Sequence, residues 1–237
     1  MTMWHHLTET VRRHHQEFDE ETAAWQAAFR QAGGRIFCAA GCAACCTLAV
    51  NCTMPEALAV AAALTDPQAG RLASHAARLP NVAAASVDMK DYLRRQRQEL
   101  GACPFLEEGG GCGVYPVRPL SCRALLSTKE PTWCGLDFAT LSGEEKQAFM
   151  ATLDRSIVAF PLHYVAATQE QGQRRESGIC HDMAGHLGCY LYGNLPALVF
   201  LEREYRLSTA VTEGRRATME LLARTGLDHP YLVTLGP

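Results

Sequence analysis

The 237-residue sequence predicts a mainly α-helical single domain whose long irregular loops carry cysteine. Three observations predict it. Alanine is abundant and aromatics make up only 8% of the chain, a composition that leans toward helix. Apolar residues recur at helical spacing between recognisable start and stop signals. One Gly/Pro-rich stretch, residues 101–131, breaks that pattern and is dense in cysteine.

The elements follow in order. Residues 7–32 read as an amphipathic helix, with Val11, Phe18, Trp25 and Phe29 near one face and Gly33-Gly34 as the stop. A cysteine-rich run, Cys38 to Cys52, comes next. Thr53 then caps a helix whose first turn holds Pro55 and Glu56 and which runs to about Leu64. Asp66-Pro67 opens another helix, and Pro80-Asn81 interrupts before one from Val82 to Leu100. Residues 101–131 form a long irregular loop with Gly109-Gly110-Gly111, Pro104, Pro116 and Pro119. Ser142 with Glu145 makes a capping box for a helix running toward Phe160, with a kink expected at Pro161. Residues 171–196 read as irregular, and a helix from Glu213 to Arg224 closes the chain. The expected organisation is an N-terminal helix over 1–34 and a cysteine-bearing domain with a helical C-terminal part over 35–237.

Composition excludes several function classes. The formal charge of −3 supplies no basic field for nucleic acid. No stretch reaches the roughly 18 consecutive apolar residues of a membrane span. The first residues lack the apolar core of a secretory signal. The expected compartment is therefore the reducing cytoplasm, where clustered cysteines more often bind metal than form disulfides. The odd count of 11 cysteines also argues against a fully paired disulfide framework.

The first cysteine group is Cys38-Ala-Ala-Gly-Cys42-Ala-Ala-Cys45-Cys46. At about 100° per residue a helix would place all four sulfurs within an arc of about 100°. If Gly41 breaks the run into a turn, the short spacings still let sulfurs converge. Cys45 and Cys46 diverge at Cα and cannot play equivalent roles. The second group is Cys103-Pro104-Phe105-Leu106, then Cys112, then Cys122 after Tyr115-Pro116-Val117-Arg118-Pro119. Cys134, beside Trp133, is the eighth candidate. Buried inert thiols would account for one or two of these. They account poorly for seven in two tight groups, one in a loop with little else to order it. Metal coordination by Cys38, Cys42, Cys45, Cys46, Cys103, Cys112, Cys122 and Cys134 is the expectation, and the metal would organise the loops. Cys52 reads as core.

These residues carry a resemblance. Cys38, Cys42, Cys45 and Cys46, followed by Cys103-Pro104-Phe105-Leu106, Cys112, Tyr115, Arg118-Pro119 and Cys122-Arg123, resemble the YkgJ-type family of zinc- or iron-chelating CxxCxxCC domains over roughly residues 35–123. The first gap holds three residues instead of two, a variant similar to the cysteine motif of flagellin lysine methylases, a group with an iron–sulfur cluster. The resemblance implies a metal-chelating domain and does not imply a reaction. Thiolates suit a four-iron four-sulfur cluster or tetrahedral zinc. The surplus of thiolates over one zinc site, with the Cys103-Pro104 pair, tilts the expectation to the cluster.

Other signals are weaker. Cys180, His181, His186 and Cys189 are read as loop, capping and core residues in preference to a Cys₂His₂ site. His5, His6, His14 and His15 are read as surface positions on the first helix. Arg118 and Arg123 either stabilise thiolates or pair with helix carboxylates. No Rossmann glycine motif, P-loop or nucleophile elbow is present. The expected role is metal handling or a cluster-dependent accessory function. The alternatives are a cluster-dependent enzyme acting on a protein or small molecule, and a structural zinc module. Sequence identifies neither partner nor substrate.

Overall fold

The computed structural model describes residues 3–237. Helix α1, Met3–Gln31, buries Leu7, Thr10, Val11, His15, Phe18 and Thr22. Their spacing of three, four and seven is the stripe anticipated from the apolar pattern. Gly33, at φ 84°, ends it.

After the first cysteine run comes strand β1, Asn51–Thr53, which leads directly into α2, Met54–Ala63. The junction is set by a capping box. The Glu56 amide is bonded to Thr53 Oγ1, and the Glu56 carboxylate accepts from Thr53 N at 2.9 Å. Helix α3, Asp66–Ala76, begins at Asp66-Pro67 as expected. Pro80-Asn81 does not interrupt a helix but lies in the first turn of α4, Leu79–Ala85, where proline's missing N–H costs nothing. Asp88 then caps α5, Met89–Arg95, which continues into a wider π turn over Gln96–Leu100.

The segment 101–131 is largely irregular and contains the short α6, Leu120–Ala124. Helix α7 is Pro131–Gly135. The Ser142/Glu145 capping box is formed and starts α8, Gly143–Ala151. That helix stops nine residues before Phe160. Thr152 turns its hydroxyl onto Phe149 O at 2.7 Å, and Asp154 accepts from Ser156 N at 3.0 Å, both local bonds that compete with helix.

The stretch 171–196, expected to be irregular, is mostly helix. Helix α9 spans Ala166–Leu187 and ends on Gly188 at φ 71°. Gly172, Gly178 and Gly185 hide it from propensity. Tertiary packing supplies the missing stability: buried Thr168, Gly172, Glu176, Ile179 and Met183 lie on its inner face against α1 and α6. Strand β2, Tyr190–Asn194, follows, then α10, Leu195–Tyr205, α11, Leu207–Glu213, and α12, Arg215–Thr225. Strand β3, Val233–Gly236, completes an antiparallel sheet of order β1-β2-β3. Cys52 faces Gly193 and Leu191 faces Leu235. A Cβ at Gly193 would meet Leu232 O at 2.2 Å, so the sheet closes only with glycine there. The main core joins α2, α3, α10, α11 and α12 through Met54, Leu72, Leu198, Val211 and Leu222.

One buried polar cluster ties these layers together. Glu56, with no exposed surface, accepts from Leu120 N at 2.8 Å and contacts His15 Nε2 at 3.2 Å. Burial pushes its carboxyl up, but the bonds from His15, Leu120 and Thr53 outweigh that and hold it below the ordinary value. His15 is thus a buried partner, not a surface position. Beside it, burial and the charge of Glu56 raise Glu176 to about 7. The Ser121 hydroxyl lies between Asn51 O and Glu176. It has a single proton, and a protonated Glu176 lets both contacts be satisfied.

Glu56→Ala should lower the unfolding free energy by about 3–5 kcal/mol, since it leaves His15 and two backbone donors buried without their acceptor. A urea midpoint within error of wild type would refute this. For Glu176 the folded value lies above the ordinary 4.5. The stability it contributes is therefore complete below about pH 4.5 and lost as pH rises through about 7. Glu176→Gln should resist urea better than wild type at pH 8 and no better at pH 4. Parallel pH profiles for the two proteins would contradict the assignment.

Candidate metal centre

The first cysteine group is built from turns and not from a helix. Gly41 at φ 80° reverses the chain. Cys42 N bonds Ala39 O at 3.1 Å, Cys46 N bonds Ala43 O at 2.9 Å, and Leu48 N bonds Cys45 O at 3.0 Å. Upstream, Phe37 N donates to Ser127 O at 3.0 Å. That contact brings Ser127 N within 3.2 Å of Cys38 Sγ, an N–H directed at sulfur.

The second group is fastened to the first by one short backbone bond, Cys103 N to Cys46 O at 2.7 Å. Residues 106–112 form a tight loop closed by a bridge between Leu106 and Cys112. Glu107 N to Gly111 O and Gly113 N to Phe105 O complete it at 2.8 and 2.9 Å. The Phe105 amide also donates to the Cys103 thiol. Cys122 rides on α6, whose first amide is the one held by Glu56. Cys134 rides on α7, where Arg97 donates to the carbonyls of Cys134 and Leu136.

The two predicted cysteine groups are joined at Cys46 and Cys103, and Cys45 is the sulfur whose charge most of the others feel. Cys38 and Cys134 are each close enough to Cys45 to repel its charge, as are Cys103 and Cys122. Cys46 is hydrogen-bonded to Cys45. Cys112 neighbours Cys103 and Cys122, and Cys42 neighbours Cys38 and Cys134. Cys52 is fully buried in the core, as expected.

Burial acts on Cys38, Cys103, Cys122 and Cys134. It pushes Cys103 up to about 12 and raises Cys122, Cys38 and Cys134. Cys45 is raised first by its hydrogen bond with Cys46 and then by burial. Without a cation these sulfurs keep their protons; a bound metal would displace them. The two arginines divide the roles proposed for them. Arg118 lies over the Tyr115 ring at 3.6 Å, and its charge favours thiolate at Cys45 and Cys122. Arg123 is buried, pairs with Asp19 of α1 and donates to Pro116 O at 2.6 Å and Arg118 O at 2.8 Å.

Sequence missed His163, which is buried with Nε2 3.4 Å from Cys134 Sγ. Burial and the charge of Lys129 lower it to about 4, so the ring is neutral near pH 7. No spacing pattern flags a lone histidine 29 residues beyond its partner. His181 and His186 are exposed, Cys189 lies in the core, and Cys180 borders Glu176.

Among the described residues no three Cys, His, Asp or Glu side chains are already drawn in around a single ion position. The donor chemistry nevertheless fits a metal–thiolate centre. The two cysteine groups are joined by the bond from Cys103 N to Cys46 O, amide N–H groups act on Cys38 and Cys103, and Arg118 offsets anionic charge. Residues 37–150 match the family model CxxCxxCC, described as a putative zinc- or iron-chelating domain. Comparisons with curated proteins and with solved structures returned no match.

Cys42 is exposed, whereas Cys52, Cys134 and Cys189 are buried. Brief iodoacetamide treatment of metal-free folded protein should modify Cys42 about tenfold faster than those three. Peptide mass spectrometry showing equal rates for Cys42 and Cys134 would contradict the arrangement.

Proposed function

We propose that the CxxCxxCC-family domain carried by residues 37–150 holds an iron–sulfur cluster in the reducing cytoplasm and serves a metal-handling or cluster-dependent accessory role. The observation that supports this is the bond from Cys103 N to Cys46 O, which joins the two cysteine groups, with Cys38, Cys103, Cys122 and Cys134 each feeling the charge of Cys45. Cys45, Cys103, Cys112 and Cys122 would supply four thiolates, the complement of a four-iron cluster. Such a cluster supplies one-electron transfer or Lewis-acidic iron. The protein's own part is to fix the sulfurs, direct N–H groups at them and place the Arg118 charge beside them, the features by which a protein tunes such a centre.

Zinc held by thiolates that include Cys42 and Cys45 is the second reading, favoured by the Cys42-Ala-Ala-Cys45 spacing common in structural zinc sites. The domain is zinc- or iron-chelating on either reading. No helix of the described residues is long and apolar enough to cross a membrane.

Anaerobic purification followed by iron, acid-labile sulfide and zinc analysis decides between them. A brown protein with iron and sulfide supports the cluster; a colourless zinc protein supports the second reading. Cys45→Ser should lose most bound metal, while Cys52→Ser should keep it. Wild type that takes up neither metal would remove both readings.

A further inference from the structure

Far along the chain from the cysteines, a groove of about 520 Å³ opens where α10, α11 and α12 meet. Its apolar floor is Leu221, which is buried, with the small side chains of Ala210 and Ala217. Small residues there let the backbone of a ligand approach closely. The helices that frame it are tied together. The buried Thr218 hydroxyl of α12 lies 3.1 Å from Gly214 O and 3.3 Å from Ala210 O. Trp4 Nε1 of α1 donates to Ser208 O at 3.2 Å and to Thr212 Oγ1 at 3.1 Å, fixing α11 from another side.

Arg206, at the groove's rim, is the one described residue other than glycine with a positive φ, at 51°. It sits where α10 ends and α11 begins, a position where glycine is usual because a β-carbon crowds the left-handed backbone. The corner is over-determined: the Glu202 carboxylate accepts from Ser208 N at 2.8 Å and from Ser208 Oγ at 2.9 Å. Arg206 adds no bond to it. Among the described residues its guanidinium makes no hydrogen bond or ion pair, and neither does that of Arg224 across the groove. A side chain kept at a strained position without a partner in its own chain points to a partner outside it.

The groove has two unlike ends. Gly214 alone separates α11 from α12, so distance from it along each helix orders the lining. Glu213 adjoins the corner, Glu220 comes midway, and Arg206 and Arg224 lie farthest from it. Glu213 is unpaired among the described residues, and Glu220 meets only the exposed Arg216, at 3.7 Å. From Arg206 to Glu213 the helical rise is about 10 Å, the span of about three extended residues.

We propose that this groove binds a short zwitterionic peptide of about three residues, with its carboxylate on Arg206 and Arg224, its ammonium toward Glu213 and Glu220, and its backbone over Ala210 and Ala217. An anion alone would meet repulsion from the two carboxylates, and a cation alone from the two guanidiniums; a ligand charged oppositely at its ends suits both. The charged groups are exposed, so each contact is weak and a millimolar Kd is expected. The groove lies outside residues 37–150, and the proposal is independent of what the cysteines hold.

The test is an NMR titration of the full chain, purified anaerobically, with trialanine, N-acetyl-trialanine and trialanine amide. Trialanine should shift amide signals within residues 205–224 in a saturable way, and each blocked peptide should bind about tenfold more weakly. Arg206→Gly should bind trialanine no better than wild type binds the amide, while its urea midpoint stays at or above wild type because glycine accepts φ 51°. Arg224→Gln, at an exposed position on α12, should weaken trialanine to the same degree and provides a second reading in a fold left unstrained. Three results would each overturn the proposal: no saturable shift in that segment, a blocked peptide binding as tightly as trialanine, or both variants binding trialanine like wild type. The wild-type titrations need no variant to fold.

Discussion

The structure depends on one buried carboxylate. Glu56 has no exposed surface, yet it is ionised and bonded to three separate segments: His15 of α1, Thr53 at the start of α2, and Leu120 at the start of α6. Burying a charge without partners is prohibitive, so the contacts are obligatory once the residue is inside. They also fix where the second cysteine loop returns to the body. Leu120 is two residues before Cys122, and its amide is anchored by Glu56 independently of any metal. At its other end the loop is anchored by Cys103 N on Cys46 O. A loop of glycines and prolines is thereby held at both ends, and a metal has to draw in only the sulfurs between. The arrangement lowers the ordering cost of binding and leaves part of the metal's binding free energy available for affinity.

The cysteine motif that matches the family model over residues 37–150 was legible in the sequence because its spacing is local. Helices with strong local signals were legible for a similar reason. The Thr53/Glu56 and Ser142/Glu145 boxes and the Asp66-Pro67 start encode their own boundaries. Helix α9 was not legible, since its three glycines lower propensity and only the packing against α1 and α6 makes it helical. The strands, with three to five residues each, are too short for alternation to stand out. His15 and His163 were unreadable for a different reason. Each acquires its role from a partner far away in sequence, 41 residues to Glu56 and 29 to Cys134. A capping box at Thr53/Glu56 could be read; that the same carboxylate also receives Leu120 could not.

Electrostatics separates the two arginines that sequence left undecided. Both flank Cys122, but the chain turns between them. Arg123 points inward, where a buried guanidinium requires partners on every side, and it takes Asp19 and two carbonyls. Arg118 remains nearer the surface over Tyr115 and keeps its charge available to the thiols. The inward arginine therefore acts on fold, pinning α1 to the cysteine loop, and the outward one acts on sulfur. Helix α1 is packed on the body at both points: its Asp19 and Phe18 meet α6, which bears Cys122, and its His15 meets Glu56.

The same reasoning extends past the family-matched segment, which ends at residue 150. Cys38 receives its N–H from Ser127, and Ser127 is aligned by Tyr164 and Val165 through the bridge and bond to residues 126 and 127. Helix α6, which bears Cys122, packs on α9 so closely that a Cβ at Gly172 would lie 3.2 Å from Ala124 Cβ. Cys38 and Cys122 thus both lean on elements that the cysteine motif does not include. Donor identity is encoded in the motif, whereas donor placement is encoded in α1, in the 152–165 loop and in α9. A chain with the same cysteines on a different C-terminal part would keep the motif and lose the contacts that position Cys38 and Cys122.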